Sequence, residues 1–185
     1  MNSPRLALGL LRQPNFRRFS VGYITSLLGT GMAPVGVAFS VLDGGGDPAD
    51  LGYVLTAGTC TMIACLLLGG VVADRLGRRK VMLGSDALRC AGQGAFAALV
   101  IAGHPPFWSL VVLSGVTGAG AGLFNPGLMA LTTEIVDDAI LSDANVLLGL
   151  AKNLGVMAGP GIAGVLVAAF GGGVVVAIDA ATYAV

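Results

Sequence analysis

Six polar residues of this sequence stand where polarity is costly. Asp86, Arg89, Asn125, Lys152, Asn153 and Asp179 are each set within a long apolar run, and such groups persist in hydrocarbon only where they meet partners, water or a ligand. A carboxylate there can hold and release a proton, a guanidinium or ammonium can hold an anion, and an amide can bond a substrate or a stranded backbone group. Such a set supports binding and charge movement. These six are the candidate substrate or coupling residues.

Spacing narrows the roles. Asp86 and Arg89 are three residues apart, so they share a helix face and can pair. By helical rise Asp86 lies about 8 Å inside the nearer end of its run. Two readings stay open: an ion pair at the membrane boundary that reaches water by snorkelling, or a substrate or proton site. Lys152 and Asn153 lie about 10 Å inside theirs, so Lys152 either snorkels or faces a polar cavity or carboxylate, and Asp179 on the following run is its candidate partner. No nucleophile stands with a base. Cys60, Cys65 and Cys90 lie in apolar segments without metal-ligand spacing, and His104 shares a short turn with Pro105 and Pro106 and no second ligand. Neither an enzyme, a metal site nor a cofactor is expected.

The elements that must position these residues are membrane spans. Of 185 residues 55% are hydrophobic and 11% charged, against roughly a quarter charged in soluble domains. The class is an integral membrane protein, an all-α polytopic bundle. Thirty glycines without a Gly-X-Y period exclude collagen and fit close helix packing in lipid.

Residues Met1 to Arg18 carry Arg5, Arg12, Arg17 and Arg18 and no acid, which predicts a cytoplasmic N-terminal segment over 1–18. A transmembrane domain follows over 19–185. Its first helix, about 19–42, is too long for the apolar core of a signal peptide, and Gly29, Gly31, Pro34 and Gly36 mark a kink. The acidic loop Asp43 to Asp50 faces outside, and further helices are expected at about 51–73, 81–103, 107–131 and 144–170. A sixth, 174–185, is incomplete, short of the ~20 residues a span requires. In the fourth, Gly118-x-x-x-Gly122 is a helix-contact pattern, and Asn125-Pro126 distorts the helix, with the amide bonding backbone groups that the proline frees. Leu123 falls where a nucleotide-binding loop needs its third glycine, so that reading fails. The next loop carries Glu134, Asp137, Asp138 and Asp143 without a base, yet alternation puts it inside.

One turn organises the rest. Between the second and third spans runs Gly70-Val-Val-Ala-Asp74-Arg75-Leu-Gly77-Arg78-Arg79-Lys80, holding four of the chain's ten Lys and Arg residues. Gly77 permits the positive φ of a very short reversal, and Gly70 permits close approach to a neighbour. Asp74 can pair with Arg75 or Arg78, or accept N–H groups at a helix start.

These offsets, at Gly70, Asp74, Arg75, Gly77, Arg78 and Arg79, resemble the signature joining the second and third helices in the major facilitator superfamily of secondary transporters. There the turn is a conformational latch rather than a substrate site, and the Asp86–Arg89 pair would support it. Gly155-x-x-x-Gly159-Pro160-x-x-x-Gly164 is similar to the fifth-helix glycine-proline motif of exporters of drugs or siderophores, departing from it at Val146 and Ala163. The run from Ala144 to Leu154, with Ile178-Asp179-Ala180, resembles the enterobactin-exporter and macrolide-efflux branch. Aligning the glycine stripe puts Ser114 where drug–proton antiporters commonly carry an arginine.

The resemblance implies the N-terminal six-helix half of a major facilitator fold, with the sixth helix truncated. It further implies a secondary active transporter of the plasma membrane that exports small molecules by alternating access. The partners are then the lipid bilayer, a small-molecule substrate, a proton or other coupling ion, and a missing C-terminal half, with no nucleic acid. As a fragment the chain is not expected to transport alone. The alternative is a non-transporting assembly subunit or a small channel, and nothing here resembles a selectivity filter.

Overall fold

A backbone in hydrocarbon has no water to bond and must close its hydrogen bonds on itself, which leaves helices as the elements for a chain this apolar. The computed structural model describes residues 14–103, 105–135 and 141–184, and of residues 14–20, 127, 129–135, 141–145 and 147 it describes the backbone alone. Arg5, Arg12, His104, Asp137 and Asp138 lie outside the described residues. The elements are α1 Pro14–Leu42, α2 Pro48–Leu76, α3 Arg78–Ile101, α4 Phe107–Ile135, α5 Leu141–Phe170 and α6 Gly172–Thr182. All six are helices, as the all-α expectation required.

Four of them are long and apolar enough to cross a membrane, over Val21–Leu42, Pro48–Leu76, Phe107–Pro126 and Leu148–Phe170. The two others differ for identifiable reasons. α3 carries Asp86, Arg89 and Gln93 along its length, and α6 is 11 residues long. Large apolar side chains face outward, with Met157 79% and Leu67 77% exposed. That surface suits lipid, and the protein is a multi-pass membrane protein.

Among the described residues, two connections are a single glycine long. Gly77 alone links α2 to α3 at φ +88°: its N–H donates to the Ala73 carbonyl at 3.0 Å, and its own carbonyl accepts from Lys80 at 3.1 Å and Val81 at 3.2 Å. Gly171, at φ +82°, does the same between α5 and α6. At the start of α2, Asp47 accepts from the N–H groups of Ala49 and Asp50, and Asp50 accepts in return from Asp47. This reciprocal cap draws Asp50 into the first helical turn instead of the expected loop.

Packing runs α2 on α4, α4 on α3, α3 on α6, α6 on α1 and α1 on α5. One core joins Val37, Val41, Val54, Phe96, Ala97, Leu110 and Val176 from five helices. A second joins Met32, Ala163, Val167 and Val175 where α1, α5 and α6 meet. Between spans in lipid the gain is close packing, and small residues supply it.

The glycines of α1, expected to mark a kink, form a contact stripe. A side chain on Gly31 would run into the Gly155 carbonyl, and one on Gly36 would lie 3.0 Å from Val175. Gly118 and Gly122 do the same for α4, each meeting a carbonyl of α2, that of Gly58 and that of Met62. Two expectations are corrected. Gly70 has nothing within 4 Å of the place its side chain would take, and the close approach belongs to Gly69, against Pro126 at 3.0 Å. Gly164 is likewise open, so the α5 contact is carried by Gly155 and Gly159.

Candidate functional site

Arg89 sits eleven residues into α3, about 16 Å from its start. At that depth the guanidinium runs inward, against the boundary reading, and is 6% exposed. The glycine at 120 makes room for it, since a side chain there would fall 2.6 Å from Arg89 Cγ. Arg89 Nη2 donates to Thr30 Oγ1 on α1 at 2.9 Å and to Tyr183 Oη beyond α6 at 2.9 Å. Its guanidinium carbon also lies 3.9 Å from the Tyr183 ring centre and 5.7 Å from that of Phe124. Asp86 Oδ1 is 3.8 Å from Nη1, a loose pair on the same helix.

Asp179 is the second charge of the cluster and has no exposed surface. Its Oδ2 accepts from Gln93 Nε2 at 2.8 Å and from Tyr183 Oη at 3.0 Å. Tyr183 Oη and Thr30 Oγ1 are 3.1 Å apart. Two polar atoms in this group have no hydrogen-bond partner, Arg89 Nε and Asp179 Oδ1. The expected Lys152–Asp179 pair does not form: Lys152 is exposed, and Asp179 is held by Gln93 and Tyr183. Depth explains it. From the outer ends of α5 and α6, Lys152 is about 27 Å down and Asp179 about 10 Å, beyond the reach of a lysine.

Beside the cluster opens a cavity of about 220 Å³, lined among others by Thr30, Pro34, Met62, Phe96, Ser114 and Tyr183. Arg89 and Gln93 also reach its wall. Ser114 donates to the Val54 carbonyl at 2.8 Å and so ties α4 to α2. Thus the structure gathers Asp86, Arg89 and Asp179 and leaves Asn125, Lys152 and Asn153 exposed and apart. Asn125 donates to the Ala121 carbonyl at 3.2 Å, one residue before the Gly122 carbonyl that Pro126 leaves without its helical donor. Removing one member of a buried charge pair strands the other, a cost of about 3–5 kcal/mol. The hydrogen bonds among Thr30, Arg89, Gln93, Asp179 and Tyr183 tie α1, α3 and α6 together.

Thr30, Gln93 and Tyr183 were missed in the sequence. The available signal was spacing: Gln93 is four residues after Arg89 and Tyr183 four after Asp179, each one turn along the same helix face. At the basic turn, Asp74 stands exposed on the last turn of α2, and Gly77 begins α3 without a side-chain cap. Asp74 therefore does not cap α3. Arg75 and Arg79 are exposed and Arg78 is half-buried.

Comparison with known proteins agrees with this architecture. The family model described as Major Facilitator Superfamily matches residues 19–185. The multidrug efflux pump Tap of Mycolicibacterium fortuitum is 31% identical over 154 residues, 80% of this chain and 38% of the pump. The enterobactin exporter EntS of Citrobacter koseri is 28% identical over 167 residues, 90% of this chain and 40% of the exporter. The 3-(3-hydroxy-phenyl)propionate transporter of Escherichia coli K12 is 39% identical over 89 residues, 48% of this chain and 21% of that transporter. This chain thus spans less than half the length of the relatives it matches.

Proposed function

The chain belongs to the major facilitator superfamily, and from that premise we propose that it forms one wall of a small-molecule exporter working by alternating access. The other wall is a second helical half, which this chain meets through its exposed apolar helix faces. The observation that carries the reading is the buried Arg89–Asp179 cluster opening on the cavity between α1, α2 and α4. A charge group at mid-depth on the border of a cavity is what a carrier uses to couple its two orientations to cargo. The cavity walls, mostly apolar with a few hydroxyls and Arg89, suit an amphipathic substrate. The likeness to Tap and EntS supports export of drug-like or siderophore-like molecules by antiport.

In this reading the turn Gly70, Asp74, Arg75, Gly77, Arg78 and Arg79 is the latch that holds one orientation. Its three bases and the adjoining Lys80, together with those of the first eighteen residues, favour a plasma-membrane orientation with the turn and the N-terminus cytoplasmic. The test is reconstitution of the 185-residue chain in vesicles, alone and as part of a protein restored to the length of its relatives. Transport of a fluorescent amphipathic dye by the longer protein and none by the chain alone is expected. Dye movement by the chain alone, or none by either, would refute the proposal.

A further inference from the structure

Asp179 is sealed from solvent, yet it is joined to the cavity by two hydroxyl groups in series. Thr30 is exposed and lines the cavity, Tyr183 lines it with 8% of its surface exposed, and Asp179 lies behind both. The chain of contacts is Thr30 Oγ1 to Tyr183 Oη at 3.1 Å, then Tyr183 Oη to Asp179 Oδ2 at 3.0 Å.

The direction of this chain follows from counting hydrogens. A phenol has one, and that of Tyr183 goes to Asp179. In the bond between Thr30 and Tyr183 the threonine must therefore be the donor. The two lone pairs of Tyr183 are filled by Arg89 Nη2 and by Thr30. One lone pair of Thr30 is filled by the same Nη2, and the other is left for water in the cavity. The guanidinium thus orients both hydroxyls toward the carboxylate.

We propose that Thr30 and Tyr183 form a directed proton path from the cavity to Asp179, the residue that takes up and releases the coupling proton. The use of that proton rests on the exporter reading, whereas the path itself rests on the geometry. In the loading step a protonated water in the cavity gives a proton to Thr30 Oγ1 and is left as neutral water, the hydrogen of Thr30 passes to Tyr183 Oη, and that of Tyr183 passes to Asp179 Oδ2. One O–H bond breaks and one forms at each hydroxyl. The net change is a neutral carboxylic acid at 179 and one proton fewer in the cavity, and rotation of the two hydroxyls resets the path.

The groups around Asp179 suit this exchange. α3 presents Arg89, Asp86 behind it, and Gln93, while α6 presents Tyr183. α1 presents Gly29, where any side chain would fall 2.6 Å from Asp179 Oδ1. Phe124 of α4 lies against Arg89 and carries no proton. On α5, Lys152 is exposed and makes no pair with Asp179. When Asp179 is neutral, Asp86 at 3.8 Å remains to balance Arg89.

The test is time-resolved infrared spectroscopy of the 185-residue chain in lipid vesicles after a drop in pH, reading the carboxylic acid C=O band. The wild type should gain a band that Asp179→Asn removes and Asp86→Asn leaves in place. Thr30→Val should keep the band but slow its growth at least about tenfold, an added barrier of roughly 1.4 kcal/mol, while Thr30→Ser restores the wild-type rate. A purely structural threonine would give no such difference between Val and Ser. The path is overturned if the band is lost in Asp86→Asn instead, or if it is absent from the wild type. Equal growth rates in wild type and Thr30→Val also overturn it, an outcome readable even if the Asp179 variant misfolds. Because the band is read without transport, its absence sinks the path alone, and lack of dye transport by the longer protein sinks the exporter reading alone.

Discussion

Tyr183 and Asp179 lie one helical turn apart at the end of α6, and the phenol of the first donates to the carboxylate of the second at 3.0 Å. Both belong to a group that also takes in Arg89 and Gln93 from α3 and Thr30 from α1. Three helices are thus tied by one polar group. The cost of desolvating two charges is offset only while each retains its partners.

Arg89→Met should destabilise the folded chain by about 3–5 kcal/mol, since it strands the buried carboxylate of Asp179, and Asp179→Leu should cost less, since Asp86 still balances Arg89. The double variant should lose much less than the sum of the two. Unfolding of the three variants in detergent micelles by a denaturing detergent, followed by circular dichroism, checks the coupling; strictly additive losses would mean that the two charges do not sense each other.

The α1–α5 contact should be sensitive at some glycines and indifferent at others. Gly159→Ala places a carbon 2.5 Å from the Gly31 carbonyl carbon and should cost about 1–3 kcal/mol by overpacking. Gly164→Ala meets open space and should be close to neutral. The same unfolding assay separates them, and equal losses would contradict the contact described.

At the basic turn, Gly77 holds φ +88° and ψ +130°. Alanine there should cost about 1–3 kcal/mol in backbone strain, measured as a lowered unfolding midpoint against Gly70→Ala, which is unhindered. Asp74→Asn in a protein restored to the length of the relatives should slow transport about fivefold or more while leaving equilibrium substrate binding unchanged. Lost binding with normal turnover would show that the turn is not a latch.

Much of the helical plan was readable in the sequence, because apolar length and charge placement report directly on a bilayer. The tight reversal at Gly77 and the contact stripe at Gly118 and Gly122 were readable for similar reasons: one needs a positive φ, the other a four-residue repeat. Which helix face meets which neighbour was not. A shift of one residue turns a side chain by about 100°, and that separates the packed Gly69 from the open Gly70. Lys152 and Asp179 have complementary charge but differ in depth, and their depths follow only once the ends of α5 and α6 are known. Thr30, Gln93 and Tyr183 were passed over because a neutral polar residue in an apolar run draws no attention until the charge it serves has been placed.

The measurement that bears most directly on the exporter reading is dye efflux from vesicles containing a protein restored to the length of the relatives, with and without an imposed proton gradient and without nucleotide. The expected result is uphill efflux that follows the gradient, stops when an ionophore collapses it, and is lost in Arg89→Met. Efflux that ignores the gradient, or that survives unchanged in Arg89→Met, would contradict a carrier built around this buried charge cluster.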